Sequence, residues 1–298
     1  DVLCAAFYLW SLLLFLLSEF EEGSSRRIKY SASIVLAIFA LLSKPMAVSL
    51  PLVMFLCLLS LCGRIDKKNL IRVIPFFVIS IIFIPIAVIS QDIPQAHLSL
   101  FKRFAVAVLN VPWYVFKTLL PFNLAPIYPR IILSDEKILF SGIFYLIACL
   151  GILSFWIRRR IYDFSSNKLF LLLCFLASLA PVSGIVPLGA IDYADRYSYI
   201  PCIFLIIFAG CLIDKFFSDR RASKYLSIAL SGYIAIIAVI TYFYSYAWSS
   251  YRAVLESALS HDPPAYMALG ALADLEFFNG DRDRIPAIAK IIREREVG

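Results

Sequence analysis

The sequence predicts an all-α fold: a polytopic helical membrane bundle followed by a short soluble helical segment. Three observations carry the prediction. Apolar runs recur from the first residues to about Tyr246. Charged residues make up only 16% of the 298 residues, against roughly a quarter in soluble domains. The basic residues gather in short loops between the apolar runs, where membrane orientation requires them. The mean hydropathy of +0.84 agrees. A net charge of +7 therefore speaks for orientation in a membrane and not for nucleic-acid binding, and no basic stripe interleaved with aromatics accompanies it.

A helix needs about 20 apolar residues to cross the hydrocarbon, or somewhat fewer in a packed bundle. The candidate runs, in order, are Val2–Leu17, Ser31–Ser43, Met46–Leu61, Leu70–Ser90, Phe104–Leu120, Leu139–Ile157, Leu169–Pro187, Ser198–Ile213 and Tyr225–Tyr246. Ser31–Ser43 is short. The Lys44-Pro45 step separates it from the next run, because proline disfavours a helix continuing through it.

Four loops are strongly basic: Arg26, Arg27 and Lys29; Arg64, Lys67 and Lys68; Arg158, Arg159, Arg160 and Lys168; and Lys215, Arg220, Arg221 and Lys224. Nine crossings cannot place all four in the cytoplasm, because Phe104–Leu120 would flip the third. That segment carries Asn110, Pro112 and Lys117 and follows Lys102-Arg103, which suits an interfacial or re-entrant helix. Eight crossings then remain. Asp1, the Lys44-Pro45 turn, the loop from Gln91 to Ile138, the Asp192–Pro201 insert and the C-terminal tail all fall on the non-cytoplasmic side.

The expected division is a bundle over 1–246 and a soluble tail over 247–298. In the tail, Leu255, Leu259, Leu269, Leu272 and Leu275 fit two amphipathic helices joined at Asp262-Pro263-Pro264. Ala268-Leu269-Gly270 and Gly280-Asp281 resemble the first helix and turn of a tetratricopeptide (TPR) unit, which is stable only in stacks of about three or more. An isolated helical hairpin capping the bundle is the alternative.

The seven cysteines lie in or at the ends of apolar runs without a CxxC pair and read as small buried hydrophobes. His97 and His261 are far apart and lack neighbouring ligand types, so no metal site is expected. His97 and Asp135-Glu136 read as solvated loop residues.

The most unusual segment is Ile191-Asp192-Tyr193-Ala194-Asp195-Arg196-Tyr197-Ser198-Tyr199-Ile200-Pro201. It sets two carboxylates, a guanidinium and three phenols between runs that belong in lipid. Ionisable groups at membrane depth cost a few kcal/mol each unless paired or hydrated, so they are functional candidates by default.

Several segments in a fixed order point to one family: Leu42-Ser43-Lys44-Pro45-Met46-Ala47-Val48-Ser49-Leu50-Pro51; Leu119-Leu120-Pro121-Phe122-Asn123-Leu124-Ala125 with Tyr128-Pro129; Ala180-Pro181-Val182-Ser183-Gly184; Ala194-Asp195-Arg196-Tyr197-Ser198-Tyr199-Ile200-Pro201; then Trp248 and the repeat-like tail. Together they resemble the bacterial TPR-containing membrane proteins related to the eukaryotic transmembrane-and-repeat protein O-mannosyltransferases. No single motif is decisive, but the ordered set covers nearly the whole chain. The resemblance implies a GT-C-type glycosyltransferase bundle whose active site opens to the periplasmic or lumenal face, in a multi-pass protein of a bacterial inner membrane with a periplasmic tail. It implies a polyprenyl-phosphate-linked sugar as donor and a protein or glycan acceptor recruited by the tail. The family's acidic pair is expected upstream of Asp1, so the chain reads as N-terminally truncated. Asp1 itself resembles the acidic residue of the Arg-x-Asp-x-Leu step that opens the next span.

Sugar transfer from a lipid phosphate needs a carboxylate to deprotonate the acceptor hydroxyl and cations to meet charge developing on the leaving phosphate. Asp1 and Asp195 are the catalytic candidates. Arg196 and Lys44 are the candidates for the donor phosphate, Arg196 through its planar fork and Lys44 as a point charge. Asp192, Tyr128, Tyr197 and Tyr199 are candidates for contacts to the sugar or lipid; no metal ligands are assigned, and a divalent-metal requirement is left open. The same residues admit plainer readings. Asp195 and Arg196 can neutralise each other at a helix start, the tyrosines can be interface anchors, and Lys44 can snorkel to headgroups. Two function classes follow: a polyprenyl-phosphate-dependent glycosyltransferase, and a non-catalytic membrane scaffold for a protein-binding TPR array. A transporter fits less well, since it favours charges within the spans. Cysteines introduced as Asp192→Cys and Arg221→Cys in a cysteine-free background should be labelled from opposite sides of the membrane by an impermeant maleimide; labelling of both from one side would overturn the eight-crossing topology.

Overall fold

The computed structural model describes residues 1–63, 67–90, 100–128, 135–160, 168–184, 193–214, 217, 220–260 and 267–280. Eleven α-helices and no strand occur among them: α1 (Val2–Glu19), α2 (Gly23–Ser43), α3 (Leu50–Cys62), α4 (Lys67–Ser90), α5 (Leu100–Leu119), α6 (Asp135–Arg160), α7 (Leu169–Leu179), α8 (Pro201–Ile213), α9 (Arg220–Ser245), α10 (Tyr251–Leu259) and α11 (Met267–Asn279). By length and composition, four helical stretches can cross a membrane: Val2–Glu19, Pro45–Cys62, Leu70–Ala87 and Ser223–Trp248. Leu139–Ala148, Leu169–Val182 and Pro201–Ile213 are apolar but shorter. The described residues are helical, and these apolar stretches are consistent with a membrane protein.

Two compact units divide it. The first comprises Asp1–Thr118, Leu133–Ala190 and Arg196–Ser218; the second comprises Leu119–Ile132, Ile191–Asp195 and Asp219–Gly298.

Within the first unit, α1 pairs most extensively with α2. The buried residues of α1 are Cys4, Ala5, Tyr8, Ser11, Leu12, Phe15 and Ser18, a stripe at helical spacing. Its outward residues include Leu3, Trp10, Leu13 and Leu17. The inner face is thus the smaller and more polar one, as expected where lipid solvates the apolar face and small residues let backbones approach. The facing stripe of α2 is Ser33, Ala37, Ala40 and Leu41. Ser11 Oγ donates to the Ser33 carbonyl (2.8 Å) and Ser33 Oγ to the Ser11 carbonyl (2.7 Å), both fully buried. Toward one end of this pair, Phe15, Tyr30 and Phe76 from α1, α2 and α4 form an aromatic cluster, with Phe76 edge-on to both partners.

The charges collect at the helix ends. Where α1 ends and α2 and α4 begin, Glu19 pairs with Arg72 and lies 3.8 Å from Arg26, and Tyr30 donates to the Arg72 carbonyl. Glu21 pairs with Lys29, and together with the Ser25 hydroxyl this holds its carboxyl below the usual range. These pairs explain why α2 begins at Gly23, eight residues before the apolar run Ser31–Ser43. Arg26, Arg27 and Lys29 form its first turns instead of a loop. The Lys44-Pro45 break is where the sequence places it. Lys44 is extended (φ −158°, ψ 140°), and a 3-10 turn over Pro45–Ser49 leads into α3.

Asn110, a residue suited to an interfacial position for α5, is buried and donates to the Ser183 carbonyl at 2.9 Å. Pro112 lies within the helix without ending it. The Lys168 ammonium caps the carbonyl of Cys211 near the end of α8, a favourable place for a cation.

In the second unit, none of the apolar stretch Ser223–Trp248 is buried among the described residues. After it, Ser250 caps α10 by accepting from the Ala253 N–H, and α10 pairs with α11 around Leu255, Ala258 and Ala268. The predicted turn at 262–264 lies outside the described residues. Arg252 binds the buried Glu276 carboxylate at 2.8 Å, tying the two helices together.

Gly142 of α6 is a close-approach site. A Cβ there would lie 2.6 Å from Ala105 Cβ and 2.8 Å from Ala105 Cα, whereas one at Gly151 of the same helix would meet nothing within 4 Å. Gly142→Ala should cost about 1–3 kcal/mol and lower the thermal midpoint in detergent. Gly151→Ala should hold or raise it, by about 0.5–1 kcal/mol from helix propensity.

Candidate functional site

In the second unit, the loop after α5 and the segment before α8 meet around a carboxylate. Phe122 N–H closes on the Leu120 carbonyl at 2.8 Å, and Asn123 takes a left-handed φ of 52°, which asparagine tolerates better than most residues. These turns carry the chain to Ala125 and Tyr128, both buried. From the other segment come Tyr193 and Ala194, also buried, then Asp195 at the head of a 3-10 turn over Asp195–Ser198.

Tyr128 Oη lies 2.9 Å from both carboxylate oxygens of Asp195, so its single proton is shared across the carboxylate. The Tyr128 ring packs on that of Tyr193, with centroids 5.3 Å apart and planes 30° from parallel. Burial pushes the Tyr128 phenol well above its ordinary pKa of 10, and the neighbouring Asp195 charge adds to the shift. The Asp195 carboxylate therefore has a fixed donor on both oxygens. An ionised carboxylate is an acceptor-only group, the kind that hydroxyl donors such as a sugar or an acceptor alcohol bind.

Two other candidates meet in the first unit. Lys44 Nζ lies 3.8 Å from Asp1 Oδ1, with the Asp1 side chain largely covered and that of Lys44 about half exposed (47%). Lys44 is thus paired with a carboxylate, and to bind a phosphate it would exchange one oxyanion for another. Arg196, also in the first unit, places its guanidinium over the Tyr197 ring at 5.5 Å, a cation–π distance. Tyr199 is exposed. Asp192 lies outside the described residues, as do His97, His261 and Pro129. Among the described residues no group of three or more His, Cys, Asp or Glu side chains gathers in a metal-binding arrangement.

The structure thus brings together Tyr128 with Asp195, Asp1 with Lys44, and Arg196 with Tyr197. Tyr193, Ile127 and Tyr244 were not singled out as site residues by the sequence. Tyr193 stacks on Tyr128, Ile127 packs into the α10–α11 core, and Tyr244 lies near enough to Tyr128 to influence its ionisation. The only hint of Tyr193 was its place two residues before Asp195 in an aromatic-rich insert; nothing local marks Ile127 or Tyr244. Comparison with known protein families, characterised proteins and solved structures finds no match to this chain.

The Tyr128 shift has a definite sign. A phenol whose folded-state pKa is raised contributes stability that is fully present below its unfolded pKa near 10 and is lost as pH rises above it. Alkaline titration of the purified protein should therefore show a loss of stability beginning near pH 10. Tyr128→Phe should reduce that alkaline component while lowering stability near neutrality through the lost hydrogen bond to Asp195. An unchanged alkaline profile in the variant would show that Tyr128 is not the responsible group.

Proposed function

We propose that this protein is a multi-pass membrane glycosyltransferase of the GT-C type. On this reading it transfers a sugar from a polyprenyl-phosphate carrier to a protein or glycan acceptor at the non-cytoplasmic face. The observation that carries the reading is the Asp195 carboxylate, held on both oxygens by the Tyr128 phenol in a polar insert flanked by apolar helices, with Arg196 as its chain neighbour. An anchor needs no such arrangement: a surface loop solvates its carboxylates with water, without a buried phenol and a stacked ring beneath it.

The chemistry fits the residue types. The acceptor hydroxyl attacks the anomeric carbon, the bond from that carbon to the phosphate oxygen breaks, and the hydroxyl proton passes to a carboxylate. The reading assigns a carboxylate role to Asp195 and to Asp1. It assigns the leaving phosphate to Arg196, whose fork matches phosphate oxygens, and to Lys44 as an added positive charge. Tyr128, Tyr197, Tyr199 and Asp192 take sugar or lipid contacts, with Tyr128 also orienting Asp195. The eight-crossing topology, a bacterial inner membrane, a periplasmic tail and a TPR-like α10–α11 unit that presents the acceptor belong to the same reading.

The test is transfer of a labelled sugar from a synthetic polyprenyl-phosphate donor, assayed with the full-length protein in proteoliposomes. Arg196→Ala and Asp195→Asn should each lower the rate by about 10²- to 10³-fold. Transfer unaffected by Arg196→Ala would remove the phosphate role. No transfer by the wild-type protein across donors and acceptors would favour the non-catalytic scaffold.

A further inference from the structure

The α10–α11 hairpin is joined to the Tyr128–Asp195 pair by a short physical route inside the second unit. Its apolar core is made by Leu255, Ala258 and Ala268, with Leu259, Ala271, Leu272 and Leu275 around it. Among the described residues, Ile127 of the loop after α5 packs on that core from outside the hairpin. The next residue is Tyr128, whose hydroxyl spans both oxygens of Asp195. At the start of the same loop, the Tyr233 hydroxyl donates to the Leu119 carbonyl, the last residue of α5. The loop is therefore pinned by α9 at its beginning and by the hairpin and Asp195 at its end. Between those points the Phe122 N–H closes tightly on the Leu120 carbonyl.

Ile127 and Tyr128 are chain neighbours with different partners, Ile127 against the hairpin core and Tyr128 at Asp195, so a shift of one is passed to the other through a single peptide. We propose that the α10–α11 hairpin is a positioning element for the Tyr128–Asp195 pair, acting through Ile127, and so forms part of the site instead of a separate appendage. The geometry alone supports this coupling; its catalytic consequence rests on the reading of Asp195 as part of a sugar-transfer site. Ile127 is a positioning residue, since its side chain acts through Tyr128. It follows that a ligand or protein held by the hairpin bears on the same contact that orients the carboxylate.

The experiment reads Tyr128 directly and needs no donor or acceptor. 3-Fluorotyrosine is placed at position 128 of the full chain in nanodiscs, and its ¹⁹F resonance is followed from pH 7 to 11 in the otherwise wild-type protein and in Ile127→Ala, Ile127→Val and Leu255→Ala. In the wild type the label should resist ionisation relative to a free fluorophenol. Ile127→Ala should move its midpoint toward the free value by about one pH unit or more, as the phenol gains solvent. Leu255→Ala, which alters the hairpin core and leaves the loop sequence intact, should move it in the same direction, and Ile127→Val should restore most of the wild-type behaviour. A label that titrates identically in wild type and Ile127→Ala would overturn the proposal. So would a shift in Ile127→Ala with none in Leu255→Ala, because the loop would then be holding itself. In the transfer assay, a wild type without activity alongside the expected ¹⁹F shifts would sink the enzymatic reading and leave the coupling standing.

Discussion

Hydrocarbon offers no hydrogen bonds and no hydrophobic drive for one apolar helix to join another, and the first unit is arranged around that constraint. The α1–α2 pair meets it with the reciprocal Ser11 and Ser33 bonds, each hydroxyl accepted by the other residue's carbonyl. Such contacts are worth about 1 kcal/mol each in a membrane, because the separated helices also find partners. Their larger effect is geometric. Two hydroxyls fully buried at one crossing point set how α1 and α2 sit along and around each other. Phe15 and Tyr30 then present a surface to Phe76 of α4. Ala37 and Ala40 allow the close approach that bulkier residues would prevent.

The same constraint sends ionic groups to the ends of the helices. Glu19, Arg26 and Arg72 hold the entry of α2 and α4 against the exit of α1, and Asp1 with Lys44 closes the opposite end of the α1–α2 pair. Partly buried pairs of this kind add less to stability than their charge suggests, since desolvation offsets much of the attraction. They do specify which ends belong together.

Polar chemistry concentrates where backbone leaves helical form. Tyr128 and Asp195 sit outside the α-helices, one in a loop and the other at the head of a 3-10 turn, and the bond between them supplies each polar group with a partner. The hairpin beyond α9 packs against that loop through Ile127. Its own halves are held by a small apolar core and by the Arg252–Glu276 pair, in which the carboxylate is almost wholly buried.

Much of this was legible in the chain. Helix positions and the break before Pro45 follow from apolar run length and proline geometry. The oddity of the 191–201 insert was equally plain, because charge between apolar runs is costly wherever it occurs. The inward face of α1 was not legible. With nearly every position apolar, periodicity carries little signal, and only the partner helix decides that Ser11 and Ser18 turn inward while Trp10 and Leu13 turn out. The start of α2 at Gly23 depended on Glu19 and Glu21 being close enough to pair with Arg26 and Lys29. The pairing of Tyr128 with Asp195 joins residues 67 apart in sequence, and the docking of Ile127 joins a loop to helices more than a hundred residues later. Local residue chemistry determined by itself which segments are helical and apolar and where charge is out of place. Which polar groups meet was left to the tertiary structure, because a buried donor is satisfied by whatever acceptor the packing brings to it, however distant in the chain.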